Sequence, residues 1–448
     1  MRQKRTLQIS IFEIFANHEI GQELKEMSRI LDEHPGILDL AGCDLIKAET
    51  LDTGNQGMTV ESVVRSAVLK QSRDLSYKEL VFHLEDSDSF RAFARISKAP
   101  KKSALQSVIS ALSGRTWESI NRCFMNAADV EGFEKGRMAR FDSTVTGTTI
   151  HHPTDNSLLW DSVRVMVRLL SLCDELFGDK KIKWHNHSRK AKKLDRRIFY
   201  CKPAKKRPKL YKDLLRTTRL TLGYLRDAQE MIQKQCVNPL DQMAWETEVN
   251  HYVPLVEQVM NQTERRVLNG EKVPSVEKVV SIFEDHTDII VKDNRETLFG
   301  HKLNLCSGKS GLILDAVIEE GNPADSSRVL PMLERQKDIY GRPPRQAAMD
   351  GGYASKDNLA DAKKLGVDDV VFHKKRGLEI EDMAWSAWVY RKLRNFRAGI
   401  EANISTLKRK YGLGRCTWKG LEHFKSYVWS SIVAYNLTLF ARLRLKAA

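Results

Sequence analysis

This chain has no framework of paired cysteines, no zinc-module spacing and no membrane-length apolar run. Its 448 residues hold seven cysteines, Cys43, Cys123, Cys173, Cys201, Cys236, Cys306 and Cys416. They are odd in number and scattered, without a CxxC pair, which argues against both a disulfide scaffold and a structural zinc site. A reducing, cytoplasmic setting suits such usage. A membrane span needs roughly 18 or more consecutive apolar residues. The nearest stretch, Val428 to Leu443, is broken by Ser430, Ser431, Asn436 and Arg442, and reads as a buried helix. The first residues, MRQKRTLQISIFEIF, start basic and turn apolar, but Glu13 interrupts them and no small-residue cleavage site follows. They do not make a signal peptide. Internal repeats are absent, and the single biased tract is a basic one.

Acidic charge is also in short supply. Lys and Arg number 73 against 58 Asp and Glu, for a formal net charge of +15. A surplus of that size attracts polyanions, nucleic acid first among them. Much of it is local: between Lys180 and Lys212 there are fifteen Lys or Arg and one acid, Asp195. Trp184, Phe199, Tyr200 and Tyr211 interleave with these cations. Lys and Arg neutralise phosphates and aromatic rings stack on exposed bases, so Arg189, Lys190, Lys192, Lys193, Arg196, Arg197, Lys205, Lys206 and Arg207 are candidate DNA contacts. The competing reading is a solvated, partly flexible basic segment.

Hydrophobic residues make up 42% of the chain, enough for packed cores, and the length calls for two or three domains. Residues 1–130 read as helical. Ser76-Tyr-Lys-Glu79 is a capping box ahead of Leu80, Val81 and Leu84. Helices are expected over Val60 to Lys70, from about Ser89, and over Ala104 to Ala128 with a break at Ser113-Gly114. Short helices with polar turns suit a helix-turn-helix DNA reader and equally a plain bundle. The texture changes near Arg137. Met138 to Val145 and Thr146 to His151 read as two strands joined by a tight turn. A helical block follows, at about 156–270. Strand-like runs return at Val279 to Phe283, Thr287 to Val291, Gly300 to Leu305 and Gly311 to Glu319. Then come a helix from Ser326 to Tyr340, a strand from Gln346 to Met349, a helix from Lys356 to Leu365, a strand from Asp369 to His373 and two long helices. The fold class is therefore α/β, a mixed sheet over 131–448 interrupted by a helical insertion and preceded by an all-α domain over 1–130.

Three acids stand out. Asp142 lies within a strand-like run, Asp350 ends another and Glu401 lies on a helix. Carboxylates near strand ends project where ligand sites on α/β sheets form. Gly351 and Gly352 are expected to leave room for a phosphate or metal beside the backbone. At roughly 100° per residue, Arg397, Glu401 and Lys408 share one helical face, next to an apolar stripe of Phe396, Ile400, Leu407 and Tyr411. A solvated helix would make the same charge pairs. Asp315 is the reserve acid. Ser143 and Thr144 suit ordinary strand positions as well as support of the first acid. His151, His152, His185 and His187 lack a third ligand at metal spacing and read as structural or DNA-contacting. Trp160, Trp184 and Trp418 read as core.

Together these blocks resemble the DDE transposases of bacterial insertion sequences, in the ISNCY-type group with a Tyr-Arg-Glu-Lys signature. Arg397, Glu401 and Lys408 occupy the last three signature places at the right spacings; Arg394 stands where the tyrosine would be. Phe141-Asp-Ser-Thr-Val145 with Ile150-His-His-Pro-Thr-Asp155 resembles the first-aspartate block, and Asp350-Gly-Gly-Tyr353 the second. Ser281-Ile-Phe-Glu284 and Phe299-Gly-His-Lys302 resemble the linking strands, and Leu69 to Phe93 the N-terminal DNA-binding region. The resemblance implies a ribonuclease-H-like core in which Asp142, Asp350 and Glu401 hold two Mg²⁺ ions, with Mn²⁺ as a substitute and Asp142 bridging the pair. It implies cleavage of transposon ends, then attack of the freed 3′-hydroxyl on target DNA. Arg397 and Lys408 would grip phosphates near the transposon end. The implied partners are double-stranded DNA, both terminal inverted repeats and target, and a second copy of the chain. The implied location is the bacterial cytoplasm, at the nucleoid when DNA is bound. Three rivals remain: a ribonuclease-H-like nuclease without strand transfer, a domesticated DNA-binding protein without catalysis, and an RNA-binding protein. The last leaves the acid trio unexplained.

Overall fold

A computed structural model describes residues 18–46, 57–177, 183–234, 238–291 and 296–447. The basic amino terminus, Lys180, Lys181 and Cys236 lie outside the described residues. The chain divides into two compact units, residues 1–149 with 300–448, and residues 150–299. The boundary expected at 130 falls inside the first unit. The helical block expected at 156–270 falls inside the second.

Among the described residues, seven helices open the first unit: α1 (Glu19–Glu33), α2 (Gly36–Leu45), α3 (Val60–Ser72), α4 (Tyr77–Asp86), α5 (Asp88–Ala94), α6 (Lys102–Ser110) and α7 (Gly114–Val130). Local chemistry sets their ends. Thr59, Ser87 and Ser113 cap α3, α5 and α7 through their hydroxyls, and Ser76 with Glu79 forms the expected capping box on α4. Helix α3 is buried almost all round, because α2, α4, α5 and α6 surround it together with α16 (Leu421–Ala447). Its one buried arginine, Arg65, is compensated: it reaches Glu61 at 3.1 Å and Asp32 at 2.9 Å, and donates to Ser28 Oγ at 2.9 Å. Helix α16 packs on α1, α3 and α7, so one apolar core runs from the N-terminal helices to the C-terminal helix and the sheet.

In the first unit the sheet has strand order β4-β3-β1-β5-β6, built from β1 (Met138–Gly147), β3 (Thr297–Ser307), β4 (Ile313–Ile318), β5 (Gln346–Met349) and β6 (Asp369–Phe372). β1 runs antiparallel to β3 and parallel to β5, and β6 runs parallel to β5. Helices α12 (Val329–Tyr340) and α13 (Lys356–Leu365) connect the later strands, followed by α14 (Ile380–Met383) and α15 (Ala387–Lys410). This mixed α/β architecture is consistent with a ribonuclease-H-like transposase fold.

Two strand expectations need correction. Residues 138–147 form one continuous strand rather than a hairpin, because Thr146 and Gly147 stay in register with His301 and Gly300. Gly300 allows it: a Cβ there would lie 2.0 Å from the Thr146 carbonyl oxygen. Residues 279–283 form no strand. The Gln262 side chain takes both backbone groups of Val279, and the Ser281 hydroxyl accepts from the amides of Phe283 and Glu284, closing a turn.

The second unit is helical: α8 (Asp155–Phe177), α9 (Ser188–Phe199), α10 (Arg207–Gln233) and α11 (Pro239–Thr263) pack around their own apolar core, which includes Leu159, Met166, Leu214 and Trp245. Trp245 donates its indole N–H to the Leu169 carbonyl at 2.9 Å. Short strand β2 (Asp288–Val291) and residues 297–299 of β3 also belong to this unit.

Candidate active site

Strand β1 places Asp142 opposite Leu305 of β3, with its carboxylate accepting from the Ser143 amide at 2.8 Å. β5 pairs parallel to the first half of β1 and stops at Met349, so Asp350 leaves the sheet beside Asp142's end of that ladder. Asp350 then precedes the single 3-10 turn Gly351–Tyr353. Helix α15 packs against both strands, and the Ser386 hydroxyl caps its start. Its seat on β1 is close. A Cβ on Gly399 would fall 1.8 Å from an Arg140 guanidinium nitrogen. That guanidinium, carried by β1, donates to the Phe396 carbonyl at 3.0 Å and to Ser307 Oγ at 3.2 Å. Asn403 of α15 donates to the same hydroxyl at 2.7 Å.

One side chain then gathers the acids. The Arg397 guanidinium stands 2.9 Å from Asp142 Oδ2 and 3.7 Å from Asp350 Oδ1 through one nitrogen, and 2.5 Å from Glu401 Oε1 through the other. Three carboxylates, far apart in sequence, therefore converge on a single cationic head. The environment is graded. Arg397 and Asp142 are 10% and 15% exposed, whereas Asp350 and Glu401 are 42% and 62% exposed. The floor is desolvated and the mouth is wet. Three carboxylates against one guanidinium leave a negative surplus at that mouth, made of hard oxygen donors of the kind divalent Mg²⁺ accepts. Among the described residues no three metal-binding side chains stand close enough to chelate an ion in this arrangement. The guanidinium occupies the space between them.

Lys408 lies half-buried two turns beyond Glu401 on α15, and Arg394, in the tyrosine place, is exposed. Arg397 points both terminal nitrogens at carboxylates rather than outward. Asp315 stands apart: it is buried on β4, both its oxygens are held by Arg335 at 2.6 and 2.7 Å, and burial raises its pKa. The glycines after Asp350 do not open a path to the backbone. A Cβ on Gly351 would meet Lys374 Cβ at 2.8 Å, and one on Gly352 would meet Asp325 Oδ2 at 2.9 Å. Their space is filled by this chain's own side chains.

The roles of several supporting residues escaped the sequence reading. Tyr353 is buried, and its hydroxyl donates to Asn304 Oδ1 at 2.8 Å. Asn304 in turn donates to Glu319 at 2.7 Å. Burial pushes the Tyr353 phenol well above its ordinary pKa, with Asp325 and Asp142 adding to the shift, so it stays a neutral donor. Arg140, Gly399 and Asn403 fix α15 to the sheet, yet none of them forms a motif with its sequence neighbours.

The basic tract lies in the second unit. On α9, Ala191, Leu194 and Ile198 are buried, whereas Arg189, Lys190, Lys192, Lys193, Arg196 and Arg197 are all exposed. Lys205, Lys206 and Arg207 are exposed after it, as are the rings of Phe199 and Tyr200. Asp195 accepts from Asn156 at 2.6 Å, so the tract's one acid is turned to a protein partner. His187 contacts Thr221 at 3.1 Å and stacks on Tyr224, and His151 lies 3.5 Å from Asp161. No helix among the described residues is long and apolar enough to cross a membrane.

Neither curated proteins nor solved structures returned a match to the chain. Residues 292–437 match the family model of the transposase DDE domain, a stretch that holds Asp350, Arg397, Glu401 and Lys408 and that supports reading the protein as a DDE transposase.

Proposed function

We propose that the protein cleaves the ends of a mobile DNA element and joins the freed 3′-hydroxyl to target DNA, with Asp142, Asp350 and Glu401 as its catalytic acids. The observation that carries this reading is the convergence of those three carboxylates on the Arg397 guanidinium. The acids' negative surplus and hard donor oxygens fit a pair of divalent ions, Mg²⁺ with Mn²⁺ as a substitute. Held by Asp142, Asp350 and Glu401, the pair would supply charge neutralisation at the scissile phosphate and acidify the attacking water. Before ions bind, the Arg397 guanidinium fills the place between the carboxylates and keeps them together against their mutual repulsion, which otherwise favours splayed rotamers. The Arg140, Gly399 and Asn403 contacts hold the helix-borne acid at a fixed height over the strand-borne one. Tyr353 and Asn304 stiffen the turn that presents Asp350.

The exposed cations of α9 and the following turn take the DNA backbone as substrate, either the terminal inverted repeats or the target duplex. Lys408 and Arg394 extend positive charge along the helix that carries Glu401. Cutting paired ends implies two copies of the chain working together at the bacterial nucleoid.

The test uses the full chain with Mg²⁺ and a duplex carrying the inverted repeats that flank its coding region. Asp142→Asn, Asp350→Asn and Glu401→Gln are each expected to lose cleavage while DNA affinity persists. Cleavage near the parent rate in any one of them rejects that residue. Cut but unjoined products from the parent protein, with target DNA present, favour a nuclease without strand transfer.

A further inference from the structure

A second charged site lies in the first unit, built from residues the acid cluster does not use. Lys70, at the end of α3, is buried, and its ammonium faces three aromatic rings: Tyr77 at 5.1 Å, Trp418 at 5.8 Å and Tyr427 at 5.8 Å from the ring centres. An ammonium has three donors. Here one of them finds a protein acceptor, Gln71 Oε1 at 3.2 Å. Among the described residues no carboxylate stands within ion-pair distance of it. Aromatic faces attract a cation, but too weakly to replace the hydration of a buried charge. Burial accordingly pulls the Lys70 amine down to about 8, still charged for the most part at neutral pH. The Trp418 indole N–H and the Tyr77 hydroxyl are buried as well, and neither has a hydrogen-bond partner. Three polar groups on one wall are therefore under-satisfied, which is uncommon in a folded interior.

That wall borders a cavity of about 770 Å³, within the range of small-molecule sites. The exposed ammonium groups of Lys78, Lys102 and Lys419 line the same cavity. Two acids reach it. They are Asp74 and Glu79, the latter also accepting from the Ser76 amide at 2.8 Å in the α4 cap, against Lys70, Lys78, Lys102 and Lys419. The balance is cationic, with flat apolar surface beside it.

We propose that this cavity binds a nucleoside phosphate, with the phosphate on Lys70 and the exposed lysines and the base against Tyr77 and Trp418. An anion supplies what Lys70 lacks, and a heterocycle supplies a stacking partner. The same chemistry has two sources: a nucleotide unit of bound DNA, or a free nucleotide. The site shares no residue with the acid cluster, and its occupancy is measured without cleavage, so it stands or falls independently of the transposase reading.

The experiment is calorimetric titration of the full-length protein without divalent metal, using deoxyadenosine 5′-monophosphate in one arm and a ten-nucleotide single strand in the other. Lys78→Ala/Lys102→Ala/Lys419→Ala changes exposed residues only and keeps the fold; Lys70→Met keeps the volume and removes the buried charge. Saturable binding of the mononucleotide, weakened at least tenfold by both variants, establishes a free-nucleotide site. Binding of the strand but not the mononucleotide, weakened by both variants at unchanged melting temperature, assigns the site to a unit of bound DNA. If neither probe binds, or if both variants bind as the parent does, the proposal is overturned and the lysine box is packing only.

Discussion

The acid cluster of the first unit and the basic helix of the second are both dense in charge, but they handle it in opposite ways. Around Arg397 the charges are few, partly desolvated and matched atom to atom, with separations of 2.5 to 3.7 Å. On α9 six cations face water, anchored by three small or aliphatic residues that bury the opposite side. The first arrangement fixes positions and suits chemistry, where a displacement of an ångström is costly. The second fixes only a field and suits attraction of a polyanion, where each cation is interchangeable with its neighbours. Removing one charge is therefore catastrophic in one region and minor in the other.

The most severe test of that contrast is at the acids. Asp142→Asn should reduce strand cleavage by at least about 10²–10³-fold, since it deletes charge stabilisation at the reacting phosphate. Chelation of divalent ions should do the same. Gel-shift affinity for DNA should stay close to the parent value in both cases, and its loss would break the division of labour. Next in size is a stability effect within the first unit. Arg335→Met strands Asp315, which is buried and paired through both oxygens, and should cost about 3–5 kcal/mol in denaturant unfolding. A smaller loss would mean that Asp315 takes up a proton instead, the direction in which burial already pushes it.

Neutralising Arg189, Lys190, Lys192, Lys193, Arg196 and Arg197 together should leave the melting temperature nearly unchanged. It should flatten the slope of log affinity against log salt by roughly 0.9 for each DNA phosphate that the protein no longer neutralises. A parallel, unshifted salt plot would return α9 to the role of a solvated surface. Smallest of all, Lys192→Ala taken singly should change stability by no more than about 0.5 kcal/mol and affinity only slightly.

How much of this was legible in the sequence follows the same divide. α9 is a local object: six outward cations and Ala191, Leu194 and Ile198 inward all lie within twelve residues. Strand β5 and helix α13 appear with the bounds that periodicity suggested, because Gln346–Met349 and Lys356–Leu365 carry their own stop signals. Helical arithmetic also anticipated that Arg397 meets Glu401. What could not be read was long-range. Whether Thr146 and Gly147 continue a strand depends on the absence of a Cβ at Gly300, over 150 residues away. The fate of residues 279–283 rests on Gln262 from another element. The glycines after Asp350 suggested an open backbone, but Lys374 and Asp325, distant in sequence, fill the space. Tyr353 and Asn304 acquire their role only when β3 and the turn after β5 come together.

Gly399 has a consequence for how this site tolerates change. A missing methyl group lets the Arg140 guanidinium nest against α15, and that approach sets the spacing between an acid riding on a helix and an acid riding on a strand. Mutational drift at position 399 would thus be silent on the surface, where the residue is only half-exposed, and audible in the geometry of the carboxylates two residues and half a chain away. Even alanine would push the Arg140 guanidinium off the Phe396 carbonyl and remove one of the ties between α15 and β1.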